Sequence, residues 1–228
     1  MLKDLQPEEK KAQTDPIMTL NKRLNLIVCV FLLFAGLALC SATNVLPVNY
    51  RLLQDDDEKQ REEIEKAAKK LRKQAEDRYA DGVYWQAAVD LILILDFYPA
   101  YSQKEEVIFL LARSLYEMQM YEGADALYRH LLRSVKRPRL VAESILGLQK
   151  VAFQKNDYQQ SLKFYQVLES HYTQHDGIHE ARYFAEQTYF NLQNYNLVHN
   201  IAAHINKKSA FYPFARYTSG LAHVKKKV

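Results

Sequence analysis

Three histidines, His171, His175 and His179, recur every fourth residue, with Asp176 and Glu180 beside them. On a single helix, imidazoles one turn apart share a face and would hold a divalent metal. Gly177 interrupts the run, so the stretch reads instead as a surface loop and no metal site is expected. The chain contains neither a His-Glu-x-x-His zinc motif nor a Gly-x-Ser-x-Gly nucleophile elbow. Its six glycines are scattered and build no phosphate loop or dinucleotide fingerprint. These absences predict a protein that is not an enzyme and needs no cofactor.

Charge and aromatic rings remain as usable chemistry. Arg129, Arg133, Lys136, Arg137 and Arg139 form a basic patch suited to anionic headgroups or an acidic partner. The same run suits a solvated helix end, where cations complement the macrodipole. With a net charge of only +4 and a patch of short reach, nucleic acid is not an expected partner.

The rings are more ordered. Tyr84, Tyr121, Tyr158 and Tyr195 stand 37 residues apart, and Tyr79, Tyr116, Phe153 and Phe190 keep the same step. Two phased columns over four copies predict a stacked repeat, a fold that presents a surface rather than enclosing a reaction centre. Within copies the apolar spacing is helical. Ile108, Leu111, Ala112, Leu115 and Tyr116 form one stripe, and Tyr121, Ala124, Tyr128 and Leu131 form the next. Each copy is therefore two antiparallel helices. Gly82 and Asn156 share a phase between them and tolerate a left-handed helix end, while Pro99, Pro138 and Pro213 fall between copies.

This pattern resembles the tetratricopeptide repeat family. The residues that carry the likeness are Tyr84-Trp85-Gln86-Ala87, Leu91 and Pro99, then Tyr121-Glu122-Gly123-Ala124 and Tyr128, then Tyr158-Gln159-Gln160-Ser161 and Tyr165. The small residue of the first helix is Ala75 and Ala112 in two copies but Gln149 and Glu186 in the others. The likeness spans about residues 64–224. It implies an all-α right-handed superhelix of about four hairpins plus a terminal helix, over 55–228. The repeats are expected at 68–104, 105–141, 142–178 and 179–212, with a partial fifth at 213–228.

The same resemblance implies that the first helices line a concave groove that holds a protein or peptide. Arg72, Tyr79, Phe109, Arg113, Tyr116, Leu146, Lys150, Phe153, Tyr183 and Phe190 would face it, with Lys69, Glu76, Glu106, Glu143, Glu180 and Gln187 between them. Large rings give contact area at low entropy cost. Phe211–Val228 is similar to the first helix of a fifth repeat, with Arg216, Gly220 and His223 in place. It is either a cap or a covered surface, and the breadth of its apolar face favours self-association or further repeats.

Residues 26–42 form an apolar run behind Lys22 and Arg23, too short for comfort as a span but suited to a signal sequence or anchor. Positive residues ahead of it place 1–25 in the cytosol and the repeats outside. Cleavage before Thr43, retention as an anchor in the membrane, and lipidation at Cys40 all remain open. Cys29 is the other cysteine, so the repeats carry no disulfide. Read from Met18 the chain has an ordinary signal start, so 1–17 are expected to lie outside the translated product. Thr43–Gln54 reads as a tether, and Asp55 with Glu58 as a capping box. A signal followed by few, slightly long hairpins resembles bacterial envelope repeat proteins, including the lipoprotein of β-barrel assembly. The expected function is a scaffold in a periplasmic or membrane-tethered complex. The alternatives are the substrate-presenting arm of an enzyme and an organelle adaptor facing the cytosol.

Overall fold

The computed structural model describes residues 58–226, and everything among them is helix or connecting turn. The helices are α1 (Glu58–Ala80), α2 (Tyr84–Phe97), α3 (Lys104–Glu117), α4 (Tyr121–Ser134) and α5 (Pro138–Gln154). They continue with α6 (Tyr158–His171), α7 (Ile178–Asn191), α8 (Tyr195–Ala203) and α9 (Tyr212–Lys226). The fold is all-α. The signal or anchor run 26–42, Cys40, the Met18 start, the tether and the Asp55–Glu58 capping box lie outside the described residues or side chains.

Four equivalent turns set the architecture. Gly82, Gln119, Asn156 and Gln193 are 37 residues apart, and all take a left-handed φ of 77°, 61°, 59° and 59°. The next N–H in each turn reaches back to close the helix, as from Met120 to the Leu115 carbonyl at 2.8 Å and from Asp157 to Ala152 at 2.9 Å. This is the Schellman ending, in which orphan carbonyls find donors. Two of the second helices then start on a capped end: Asp157 accepts from the Gln160 N–H and Asn194 from the Leu197 N–H. Pro138 is the first residue of α5 and Pro213 the second of α9, so these prolines start helices rather than fill linkers.

Each helix packs on its neighbours in sequence. In addition the first helices meet one another in order, α1 on α3, α3 on α5, α5 on α7 and α7 on α9, whereas α2, α4, α6 and α8 never meet. Closer spacing of the first helices puts them on the inside of the stack. Apolar clusters fill the layer between, among them Leu91, Ile94 and Val107 near the start and Ala142, Ile145, Leu168 and Ala181 further along.

Small residues let neighbouring helices come close at several points. Ala75 and Ala112 are fully buried, and Gly147 lies under the Tyr128 ring so tightly that an added Cβ would sit 2.4 Å from it. At the Ala75 phase the later copies bury Gln149 and Glu186 instead. Gln149 donates to the Ala181 carbonyl at 2.8 Å and so ties α5 to α7. Neither carboxyl oxygen of Glu186 has a hydrogen-bond partner. Burial pushes its pKa up to about 8, so the acid is neutral at pH 7. Arg182 fastens the same region, bridging Glu169 of α6 at 2.8 Å and the His204 carbonyl after α8 at 2.8 Å.

Candidate functional site

The two aromatic columns meet as ring pairs across the turns. Centroid separations are 5.2 Å for Tyr79–Tyr84, 5.7 Å for Tyr116–Tyr121, 6.0 Å for Phe153–Tyr158 and 5.9 Å for Phe190–Tyr195. The step of 37 therefore repeats one local contact, in which the last turn of a first helix is pinned to the start of the second. Tilted and edge-on geometries of this kind are favourable for π systems. The four first-helix rings are half-buried. They close the hairpins and leave part of their surface to the inner face.

Cations cover that remaining surface in phase. The Arg113 guanidinium lies 4.6 Å from the Tyr79 centroid, and the Lys150 ammonium lies 5.0 Å from that of Tyr116. Arg113 and Lys150 are one period apart, and each sits over a ring of the preceding hairpin. Such contacts are worth about 0.5–1 kcal/mol at exposed sites. Lys150 also pairs with Glu180 at 2.6 Å. The Tyr116 hydroxyl accepts from Gln154 at 3.2 Å, and burial pushes its pKa up to about 12, so it stays a neutral donor.

A cavity of about 510 Å³ opens between α1, α3 and α5, lined by Arg72, Glu76, Glu106, Phe109, Leu110, Arg113, Arg137, Arg139, Leu140 and Glu143. The Arg72 Nε is buried without a hydrogen bond; the nearest Glu76 oxygen is 3.3 Å away but poorly aligned. Arg113, stacked on Tyr79, also lines the cavity and offers its N–H donors to a carbonyl or carboxylate acceptor.

The expected groove residues separate into groups. Arg72, Phe109 and Arg113 converge on the cavity. Leu146 is buried against Ile178 and Ala181 and offers little to a ligand. Phe153 packs edge-on against Phe184 at 5.4 Å, and Tyr183 joins Phe184, Phe211 and Phe214 in an aromatic cluster further along. Gln187 bonds Thr218 of α9 at 2.6 Å, and Lys69 is exposed.

The basic patch divides as well. Arg129 is held by Asp125 at 2.6 Å on α4. Arg137 pairs with Glu105 and Glu106, and Arg139 with Glu143 at 3.1 Å; both join the cavity wall. Arg133 and Lys136 are exposed. Sequence reasoning missed that Arg137 and Arg139 belong to the groove, because they precede or open α5 and nothing local shows that α3 will supply the carboxylates of Arg137 and share a cavity wall with both.

The histidines point to separate partners. His175 Nδ1 accepts from the Gly177 N–H at 3.0 Å, His179 Nδ1 from the Asn206 N–H at 3.4 Å, and the His171 ring meets Tyr172. No group of metal-binding side chains assembles among the described residues. No described helix is long and apolar enough to cross a membrane. No protein-family profile matches the chain, and no curated protein matches it.

Proposed function

We propose that the chain is a non-enzymatic scaffold of the tetratricopeptide type, whose inner face holds a segment of a partner protein. The observation that carries this reading is the in-phase pair of cations on the first helices, Arg113 over Tyr79 and Lys150 over Tyr116, the first of which also lines the cavity between α1, α3 and α5. Stacked cations are held in place before a ligand arrives, which lowers the ordering cost of binding. Flat rings and fixed cations suit a peptide backbone carrying acidic or carbonyl acceptors. Export, and a place in a bacterial envelope assembly complex, rest on Lys22, Arg23 and residues 26–42. In this reading the repeats lie outside the cytoplasm, periplasmic or tethered at the membrane.

The test is affinity purification from membranes with the wild-type chain and with Arg113→Gln/Lys150→Gln. The double variant removes two cation–π contacts and the Lys150–Glu180 ion pair, each worth at most about 1 kcal/mol, so it is expected to stay folded with a melting temperature lower by several degrees. Partners recovered with the wild type should be lost with the variant. Recovery of the same partners by both would reject the inner face as the binding site.

A further inference from the structure

The outer face of α2 is apolar where its counterparts are polar. Trp85, Val89, Ile92, Leu93 and Phe97 are all exposed, Trp85 by 63 % and Phe97 by 66 %. Their spacing puts them on one side of the helix, where only Gln86 and Asp96 interrupt them. The opposite side, with Ala87, Ala88, Leu91 and Ile94, is buried. One period on, the same five positions of α4 are Glu122, Ala126, Arg129, His130 and Ser134. Two periods on, in α6, they are Gln159, Lys163, Gln166, Val167 and His171. All ten are exposed as well. The hairpin fold therefore leaves this face to solvent and does not require it to be apolar.

The possible occupants differ in what they need. A further hairpin would not reach the face, because first helices stack on first helices while α2, α4, α6 and α8 never meet one another. A stable second copy needs about 800 Å² per partner. A 14-residue helix offers a strip roughly 21 Å by 10 Å, and the strip does not continue onto the polar face of α4. A bilayer sets no such minimum, since each apolar side chain gains by leaving water. Position favours it too. Residues 43–57 can span at most roughly 50 Å, so an anchor at 26–42 would keep the first hairpin beside a membrane. Of α2, α4 and α6, the apolar face falls on the helix of that hairpin. Just beyond α2 the Ser102 N–H donates to Glu65 near the start of α1 at 3.2 Å, so Phe97 lies at the end of the hairpin where the chain enters.

We propose that α2 rests in the surface of a lipid bilayer, with Trp85 and Phe97 anchoring its two ends and Val89, Ile92 and Leu93 between them. Helix α2 contains no Lys or Arg, so the layer it enters is the apolar and ester-carbonyl region of neutral lipid rather than a sheet of anionic headgroups. Tryptophan suits that layer, with an apolar ring and an indole N–H that finds a carbonyl. The proposal rests on the membrane-tethered form of the proposed function, in which residues 26–42 are kept as an anchor. It leaves the inner face of the first helices free for the partner segment.

Trp85 is the only tryptophan of the chain, so its emission reads the site without a label. The full chain is placed in phosphatidylcholine nanodiscs whose belt lacks tryptophan, with lipid acyl chains plain or brominated. Co-elution with the discs reports the anchor, and Trp85 reports the face. Brominated lipid should remove at least about half of the Trp85 emission, because an interfacial helix sinks its apolar face about 5–10 Å. Aqueous iodide should quench Trp85 at least about twofold less than a tryptophan introduced by Gln166→Trp in a Trp85→Phe chain. Ile92→Ser/Phe97→Ser should co-elute and keep its helical circular dichroism, but lose most of the quenching by bromine. A chain that co-elutes with Trp85 open to iodide and untouched by bromine overturns the proposal and leaves the anchor standing. A chain that does not co-elute overturns both. Trp85 shielded from iodide yet untouched by bromine assigns the face to a second copy and overturns the proposal too, as does equal bromine quenching in the folded variant. The wild-type quenching decides by itself if the variant unfolds.

Discussion

Replacing Glu186 by glutamine should stabilise the protein at neutral pH and do nothing near pH 4. Glu186 is fully buried, both carboxyl oxygens are unpaired, and its pKa is raised from 4.5 to about 8 by burial, with Arg216 opposing weakly. Below pH 4.5 the acid is neutral in both folded and unfolded chains, and its ionisation costs nothing. Between 4.5 and 8 the folded state must keep a proton that the unfolded chain releases, so stability falls as pH rises. Above about 8 both forms are ionised and the slope vanishes. At pH 7 the gap is roughly 2.5 pH units, or about 3 kcal/mol at 1.36 kcal/mol per unit. An amide at this phase has a precedent in Gln149, which donates to the Ala181 carbonyl; the equivalent acceptor one period on is the Thr218 carbonyl. The difference between variant and wild type should therefore grow from near zero at pH 4 to about 3 kcal/mol at pH 7, a rise in melting temperature of roughly 6–12 °C. Urea unfolding followed by circular dichroism at pH 4, 5, 6, 7 and 8 measures it, and the groups common to both chains cancel in the difference. A gap that does not change with pH, or a variant less stable at pH 7, would refute the assignment of a buried neutral acid.

Three further outcomes follow from other parts of the fold. Gly147→Ala should cost about 1–3 kcal/mol in urea unfolding, because its Cβ would strike three carbons of the buried Tyr128 ring; a neutral result would mean that α4 and α5 are less tightly packed than described. Gln119→Gly should raise stability by about 0.5–1 kcal/mol, since a left-handed φ of 61° strains any side chain with a Cβ; a lower melting temperature would contradict the turn geometry. A chain starting at Met18 should export a compartment-specific reporter as well as the full chain does, and activity from the longer form alone would sink that reading of the start.

The all-helical fold was legible because every hairpin repeats one turn and one ring pair. Tyr116 and Tyr121 are both visible in sequence, and so is their shared step with Phe153 and Tyr158. That the two columns touch was not visible, since a period fixes phase but not which faces meet. Gly82 and Asn156 announced left-handed turns through their residue types. Gln119 and Gln193 did not, and only their phase with the other two exposes them. The departures at Gln149 and Glu186 were seen in the sequence, but their consequences depend on tertiary packing: one found a carbonyl across the helix layer and the other found nothing. The groove was half legible. Arg113 and Lys150 were expected on the inner face, whereas their stacking on rings of the preceding hairpin arises from helices that meet across a whole repeat.

The central claim is that a partner lies along the inner face of the first helices. Photo-crosslinking residues placed at Phe109 and Lys150 would report on that face, and the same residues at Lys163 and Gln166 would report on the exposed side of α6. Irradiating membranes that carry each full-length variant, then sequencing the joined peptides, locates the partner directly. The account predicts one shared partner segment joined to positions 109 and 150 and nothing joined to 163 or 166. Products from the α6 positions alone, or from all four alike, would contradict it.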